Sequence, residues 1–405
     1  AVRIIRAAQA LGIETVQVLS DADRDSAAAR LADRAVVIGP APSKQSYLEA
    51  KLLLHAAQQT GCDALHPGYG FLSERASLAN LCREHDITFV GPDADVIDAL
   101  GDKLRARAIA AEAGVPLVPG TDSIADVQSA QRAAEDIGYP VVMKASAGGG
   151  GRGMFIARTP ADLAGSFDKA STEALEAFGD GTLYMERFVG NARHVEVQVL
   201  GDGTGQVVHF GERDCSTQRR YQKVIEEAPC AIMPEHVRGK LHAAAVNLLS
   251  KLKYRNAGTV EFLYDVDHEE VFFIEVNTRI QVEHPVSEQV TGADLVQLQF
   301  RVAGGEPVSF DQSAITVSRH SIECRINAED AAHDFRPSPG RITSWQPPRG
   351  AGIRVDSHCA DGYLVPPYYD SMIGKLIVTA NDRASAVERL AAALDEFTID
   401  GIVTN

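Results

Sequence analysis

The sequence predicts an α/β protein built from more than one domain, and three observations carry that expectation. Over the first hundred residues, apolar runs short enough for strands alternate with helical periodicities. Two later stretches alternate residue by residue between apolar and polar side chains. The 405 residues also exceed what one compact core usually holds. Apolar content of 45% and charged content of 23% are those of an ordinary globular chain. The formal charge of −16 argues against non-specific contact with nucleic acid or an anionic membrane, so an anionic substrate would need a local basic site. Six scattered cysteines with no CxxC pair read as free thiols of a cytoplasmic protein, and no run suits a membrane span or a signal peptide.

Residues 1–12 read as a helix already under way, with no strand before it. Strands at 14–19, 35–38, 64–66 (buried) and 88–90 then alternate with helices near 26–33, 46–59 and 78–84, and another helix is entered at Asp93. Such alternation implies a parallel sheet with ligands at the carboxyl ends of its strands. The loop His66-Pro-Gly-Tyr-Gly-Phe-Leu-Ser-Glu74 interrupts it. Its proline and glycines fix a tight turn exposing Tyr69, which reads equally as a substrate contact or a plain turn. Asp102 is placed to cap the following helix, at whose start Lys103 sits; alone, that lysine reads as a surface residue.

Residues from about 118 to 190 read as a separate lobe, with helices at 123–137 and 160–177 and a strand at 140–144. That strand runs into Ala145-Ser-Ala-Gly-Gly-Gly-Gly-Arg-Gly-Met154, whose glycines let backbone N–H groups approach a phosphate chain. Lys144 is placed to meet phosphate oxygens, and the absence of Gly-Lys-Ser/Thr excludes a Walker A loop. A strand at 183–189 holds Glu186 and a backbone that would bond an adenine edge, or is an ordinary strand end. The strand at 193–200 aligns His194, Glu196 and Gln198 on its polar side. After a strand at 206–210, residues 211–229 read as a long polar connection. It concentrates Arg213, Arg219, Arg220 and Lys223, as an anion site or a charged surface loop would. A helix follows at 234–252.

A strand at 259–264 and a polar turn at 265–270 lead to Phe272-Phe-Ile-Glu-Val-Asn-Thr-Arg-Ile-Gln-Val-Glu-His284. With a period of two, Phe272, Ile274, Val276, Ile280 and Val282 share one face, and Glu275, Asn277, Arg279, Gln281 and Glu283 the other. A hairpin centred near His268 sets Glu261 opposite Glu275, at a cross-strand spacing of roughly 5 Å where like charges repel. A divalent cation, most commonly Mg²⁺, would turn that repulsion into coordination with Asn277 as a third ligand; a solvated hairpin face is the bland alternative. The chain is expected to bend near 278–281. Beyond lie a helix at 294–303 and an alternating strand at 319–329 with Ile322, Cys324 and Ile326 inward and Glu323, Arg325 and Asn327 on the other face. A β-rich stretch at 340–356, a turn at 366–372, a strand at 375–379 and a helix at 383–397 complete the order.

Together these motifs, with Glu212-Arg-Asp-Cys-Ser-Thr-Gln-Arg-Arg220, Glu323-Cys-Arg-Ile-Asn-Ala-Glu-Asp330 and Pro366-Pro-Tyr-Tyr-Asp-Ser-Met-Ile-Gly-Lys375, identify a family. Over essentially its whole length the chain resembles the biotin carboxylase component of biotin-dependent carboxylases, which are ATP-grasp enzymes. The resemblance implies a pre-ATP-grasp, Rossmann-like domain over 1–100 that lacks its first strand. An ATP-grasp domain over 101–305 with a mobile lid lobe, and a truncated C-terminal α+β domain over 306–405, would follow. It implies that ATP phosphorylates bicarbonate to carboxyphosphate, which carboxylates N1′ of biotin on a separate carrier domain. ATP contacts are implied at Lys103, Lys144, Gly150, Gly151, Glu186, Arg187, Phe188, Val189, His194, Gln218, Glu261 and Glu275. The implied Mg²⁺ (or Mn²⁺) ligands are Glu261, Glu275 and Asn277, and the implied bicarbonate site is Lys223, Arg279, Gln281, backbone Val282 and Arg325. Glu283 is the implied general base, Arg325 the group facing the biotin enolate, and Tyr69 and Gly70 the lining of the biotin pocket. A carrier domain, a carboxyltransferase subunit or domain, and a homodimer or larger holoenzyme are the implied partners, with an acyl-CoA the expected final acceptor. Ala147 and Tyr221 depart from the family pattern, Tyr221 at a nucleotide contact. No Ala-Met-Lys-Met carrier motif occurs.

Overall fold

The computed structural model describes residues 1–146 and 154–405. In the first hundred residues, strand Val16–Ser20 pairs in parallel with Arg34–Gly39, and Ala64–Leu65 pairs in parallel with Thr88–Phe89. These are two separate two-stranded sheets, not the continuous sheet that βα alternation implied. Val16, Val18, Ala64, Leu65 and Val90 line a slot between them, so Ala64, expected to be buried, is exposed. Leu54, Leu78, Cys82, Phe89 and Ile97 form the core beneath the second pair.

Helix Lys103–Glu112 begins where expected, with the Asp102 carboxylate accepting the Arg105 N–H at 2.8 Å. A four-stranded sheet follows, in the order Gly120–Ile124, Leu183–Arg187, Val141–Ala145, Met154–Ala157. Helices Val127–Ile137 and Pro160–Phe178 cover it, closing a core of its own around Ala130, Met143, Leu163, Ala170 and Met185. The helix expected from residue 123 starts later, because residues 120–124 pair as a strand and Asp126 supplies the cap, accepting from Ser129 N.

The rest is organised by one eight-stranded sheet. Its order is Glu270–Asn277, Arg255–Asp265, Ala192–Asp202, Val207–Arg219, Gln222–Ala228, His320–Asn327, Met372–Ala380, Ile353–Ser357, every pair antiparallel. Helix Glu235–Lys251 packs Leu241, Leu248 and Leu249 against Val197, Val199, Val260 and Phe273. The polar connection expected over 211–229 is instead most of two paired strands, turning at Arg220 and Tyr221 (φ 50° and 65°). Their charged residues escaped a strand reading because they are buried under other side chains: Arg213 and Glu226 have no exposed surface. Glu323 is fully buried as well, so strand His320–Asn327 is covered on both faces.

Glu261 stands opposite Glu275 and Thr259 opposite Asn277, as the predicted hairpin requires. Phe262, however, faces Phe273, which leaves Ile274 as an extra residue in a bulge. The bulge reverses the alternation: Val271, Phe273 and Val276 join the core, correcting the reading that grouped Phe272 and Ile274 with Val276. Phe272 instead lies under the Arg187 guanidinium at 5.4 Å. The strand stops at Asn277 and a turn over 278–283 leads into helix His284–Thr291, which was not anticipated. Pro285 suits its first turn and Gly292 ends it in the left-handed conformation at φ 75°.

Candidate active site

The strand order brings five separate segments to one cluster of charges centred on the Lys223 ammonium. It donates to Glu196 Oε2 at 2.6 Å, Glu261 Oε1 at 3.0 Å and Glu283 Oε1 at 2.7 Å. The other oxygen of Glu283, Oε2, accepts from Arg325 NH2 at 3.0 Å. Beneath lies Arg213, fully buried, donating to Glu196 (2.5 Å), Gln198 (2.8 Å), Ser287 (2.9 Å), Thr259 (3.3 Å) and Gln281 (3.0 Å). Such a guanidinium has nearly all its hydrogens placed, which fixes the three carbonyl and carboxylate groups above it. Burial alone would push Glu283 up, but Lys223, Arg325 and Arg213 together hold its carboxyl well below the usual range.

On the hairpin side, Glu261 Oε1 accepts from Asn277 Nδ2 and Gln281 Nε2, both at 2.9 Å, while Oε2 meets His194 Nε2 at 2.7 Å. Gln218 holds the other His194 nitrogen at 2.8 Å. Arg279 donates to Asn277 Oδ1 at 3.0 Å and lies 3.3 Å from Glu74. Among the described residues, the cation that pairs with Glu275 is Lys103, at 3.6 Å. Burial, then the Glu261 charge, raises the Glu275 pKa. Two facing carboxylates, one of them short of positive partners, with an amide oxygen two residues on, make an oxygen-only donor set that fits Mg²⁺ or Mn²⁺. An alternative trio, His194, Glu196 and Glu261, also brings its ligand atoms within 4.8 Å of one another, but Lys223 and Arg213 already occupy Glu196.

In the smaller lobe, Glu186 is nearly buried between Lys144 and Arg107, which both donate to it. Lys144 therefore sits at the end of its strand as expected, paired to a carboxylate. Arg187 faces Asp265 and Glu270 at 3.8 and 3.5 Å, Phe188 lies beneath the Arg158 guanidinium, and Phe188 N bonds Pro140 O. Val189 follows the strand's end. Gly150, Gly151 and the rest of residues 147–153, Ala147 included, lie outside the described residues.

Tyr69 and Gly70 line the same cleft as Lys223, Val282 and Arg325, a space of about 1550 Å³ that also takes in the slot between the two small sheets. The loop turns through Gly68, Gly70 and Phe71 at φ 67°, 74° and 46°. Lys375, from strand Met372–Ala380, donates to the Val282 carbonyl and so ties the 278–283 turn to the C-terminal part of the chain.

Of the four cations expected to form an anion site, only Arg213 and Lys223 enter the cluster. Arg219 pairs with Glu329 over the Phe335 ring, and Arg220 with Asp334 at the surface. Tyr221 is 58% exposed in the turn. Sequence reasoning assigned no role to Glu196, Arg213 as a scaffold, Glu226 or Lys375. For Glu196 a signal existed: it shares the polar side of its strand with His194 and Gln198. Arg213 stood out only as one of four clustered cations and Glu226 gave no signal, because their segment did not read as strands.

Comparison with known proteins places this geometry. Residues 1–97 match the family model for the biotin carboxylase N-terminal domain and residues 323–405 that for the biotin carboxylase C-terminal domain. Residues 102–310 match the ATP-binding domain of the carbamoyl-phosphate synthase L chain. Biotin carboxylase 1 of Bacillus subtilis is 49% identical over 405 residues, covering all of this chain and 90% of that protein. A biotin carboxylase–ATP complex from Campylobacter jejuni superposes with a TM-score of 0.96 at 46% identity, covering all of this chain and 90% of the other. The biotin carboxylase domain dimer of the 2-oxoglutarate carboxylase from Hydrogenobacter thermophilus, solved with MgADP, ADP and bicarbonate, gives 0.94 at 46% identity, over 100% and 89%. Among the described residues, no helix is long and apolar enough to cross a membrane.

Proposed function

The chain belongs to the biotin carboxylase family of ATP-grasp ligases, and from that premise we propose that its charge cluster carries out the first half-reaction of a biotin-dependent acyl-CoA carboxylase. The observation that carries the residue assignment is Lys223 bridging Glu261 and Glu283, with Arg325 on the far oxygen of Glu283. One ammonium thereby joins the metal-binding pair to the base.

In this reading Lys103, Lys144 and the glycine-rich loop with Gly150 and Gly151 hold the phosphates. Glu186 through Val189, His194 and Gln218 hold the rest of the nucleotide. Glu261, Glu275 and Asn277 hold Mg²⁺, which supplies charge neutralisation to the transferring phosphoryl group. Lys223, Arg279, Gln281, Arg325 and the Val282 backbone orient bicarbonate, and Glu283 accepts its proton. A carboxyl held so low is a weak base while Lys223 and Arg325 are devoted to it. Bicarbonate is itself an anion and draws on the same two cations, so their hold on Glu283 loosens and its basicity rises only when the substrate is in place. The oxygen freed of its proton attacks the γ-phosphorus and ADP leaves. The carboxyl C–O bond of carboxyphosphate then breaks, phosphate leaves and takes up the N1′ proton of biotin, and N1′ bonds the carboxyl carbon, with Arg325 facing the enolate oxygen and Tyr69 and Gly70 along the ring.

We place the domains at 1–100, 101–305 and 306–405, with residues from about 118 to 190 closing over ATP to exclude water from a labile anhydride. A separate four-stranded sheet with its own core supports that lobe as a moving unit. A carrier domain, a carboxyltransferase and a homodimer complete the proposal, the dimer by analogy with the 2-oxoglutarate carboxylase domain.

The decisive measurement is bicarbonate-dependent ATP cleavage with and without free biotin. Stimulation by biotin supports the reading; equal rates without it, or none at all, overturn it. Transfer from reconstituted carboxybiotin carrier to acetyl- or propionyl-CoA, compared with pyruvate, tests the acyl-CoA acceptor.

A further inference from the structure

Beside Arg325, strands Gln222–Ala228 and His320–Asn327 set Glu226 directly opposite Glu323. Cross-strand partners stand roughly 5 Å apart at Cβ, and both side chains are wholly shielded from water. Arg325 spends two donors on a single oxygen: Nε and NH2 reach Glu226 Oε1 at 2.6 and 2.5 Å. Glu226 Oε2 and both oxygens of Glu323 have no hydrogen-bond partner. On Glu323's far side, Lys375 lies 3.6 Å from Oε2 and gives a hydrogen bond to the Val282 carbonyl. Three buried, unpartnered acceptor atoms on two facing carboxylates would be costly if both groups were ionised, and a single hydrogen between them satisfies two of the three.

We propose that Glu226 and Glu323 hold one proton between them, donated across the strands from Glu323 to Glu226 Oε2, and that this bond positions Arg325. Glu226 stays ionised and holds Arg325 through Nε and NH2, with NH2 also reaching Glu283 Oε2 at 3.0 Å. An ionised Glu323, two residues from Arg325 on the same strand, would compete for the guanidinium and pull it back from the substrate side. Glu323 is therefore a positioning residue acting through Glu226.

The surroundings agree. Burial raises Glu323 to about 8; Lys375 works against that and Glu226 with it. Burial also raises Glu226, against Arg325. The other charged or titratable groups facing the pair are Glu283 from the turn, Lys223 on Glu226's own strand, Tyr69 from the loop, Cys215 and Cys324, whose thiols burial pushes up, and His284, which burial keeps neutral. Helix Arg383–Glu396 packs on the opposite face through Ala386, Leu390 and Ala393. The shared proton does not depend on the roles proposed above; only its effect on turnover rests on them.

Infrared difference spectroscopy separates the two. At pH 7 the parent protein should show a carboxylic-acid carbonyl band, shifted in heavy water, that Glu323→Gln lacks. Raising the pH should abolish the band with a midpoint near 8. That titration needs no variant, so it stands even if the substitution fails to fold. No such band at pH 7, or one unaltered in Glu323→Gln, overturns the proton assignment. For turnover, glutamine keeps a donor toward Glu226, so ATP cleavage should stay within about threefold of the parent at pH 7. The alkaline fall in parent activity near pH 8 should move upward in the variant. An alkaline limb left in place, with the band lost as expected, overturns the positioning role alone.

Discussion

Glu275 and Glu283 lie eight residues apart in one segment, yet their surroundings are opposite. Glu275 keeps 34% of its side chain exposed, faces another carboxylate, and among the described residues draws relief from Lys103 at 3.6 Å and, less, from His194. Glu283 is 2% exposed and grips Lys223 and Arg325 with its two oxygens. A carboxylate that lacks positive charge is built to receive it from outside. One already saturated with cations becomes reactive only when a competing anion takes some of them away. The strand order leaves Glu275 on the sheet's edge strand, and the bend after Asn277 carries Glu283 into the buried cluster.

Four experiments break or sharpen this contrast. Largest is Glu283→Gln, which should lower bicarbonate-dependent ATP cleavage by about 10²–10⁴-fold while MgATP binding, read by calorimetry, changes less than about threefold. Equal loss of ATP binding would remove Glu283 from its role. Next, Lys223→Met strands three buried carboxylates without their common cation. Removing one partner of a buried pair typically costs about 3–5 kcal/mol, so denaturant unfolding should shift strongly downward. Third, Glu275→Gln should raise the Mg²⁺ needed for half-maximal rate by about tenfold or more. Its metal-free melting temperature should hold or rise slightly, since a like-charge contact is removed; a fall comparable to Lys223→Met would erase the distinction.

The smallest effect comes from Glu227, whose carboxylate accepts from His320 and Arg383 away from the cluster. Burial would raise it, yet those two bonds lower it from 4.5 to about 2. The folded state then binds this proton less readily than the unfolded chain, so its contribution is complete above the ordinary value and disappears as pH falls toward 2. Glu227→Gln should flatten the acid limb of stability in urea melts without changing turnover. A lowered pKa alone would then be seen not to make a catalytic carboxylate.

The hairpin was legible because a turn centred near His268 leaves little freedom in register: Glu261 had to meet Glu275. The bulge at Ile274 was not, since it arises where Phe262 and Phe273 settle into a core made by distant strands and helix Glu235–Lys251. Strand 222–228 and the part of strand 207–219 beyond residue 210 were hidden for a related reason. Arg213, Glu226 and Lys223 sit at strand positions that periodicity reserves for apolar residues, and only their mutual charge compensation makes burial tolerable. Roles for Lys223, Arg325 and Glu283 came from the family resemblance, whereas their meeting point depended on which strands became neighbours. Glu323 and Lys375 illustrate what pattern cannot reach, because their significance lies in atoms left without partners.

The eight-stranded sheet passes without a break from the hairpin that carries Glu275 to the strand that carries Arg325 and on to the one that carries Lys375. Recombination between carboxylases that exchanged only the last 85 or so residues would thus import a central strand rather than a detachable module. Such a chimera would have to match Glu226 and Glu227 on the retained edge with their partners on the incoming one. Inheritance of this charge cluster is accordingly indivisible across that seam: its two sides have to be acquired, and altered, together.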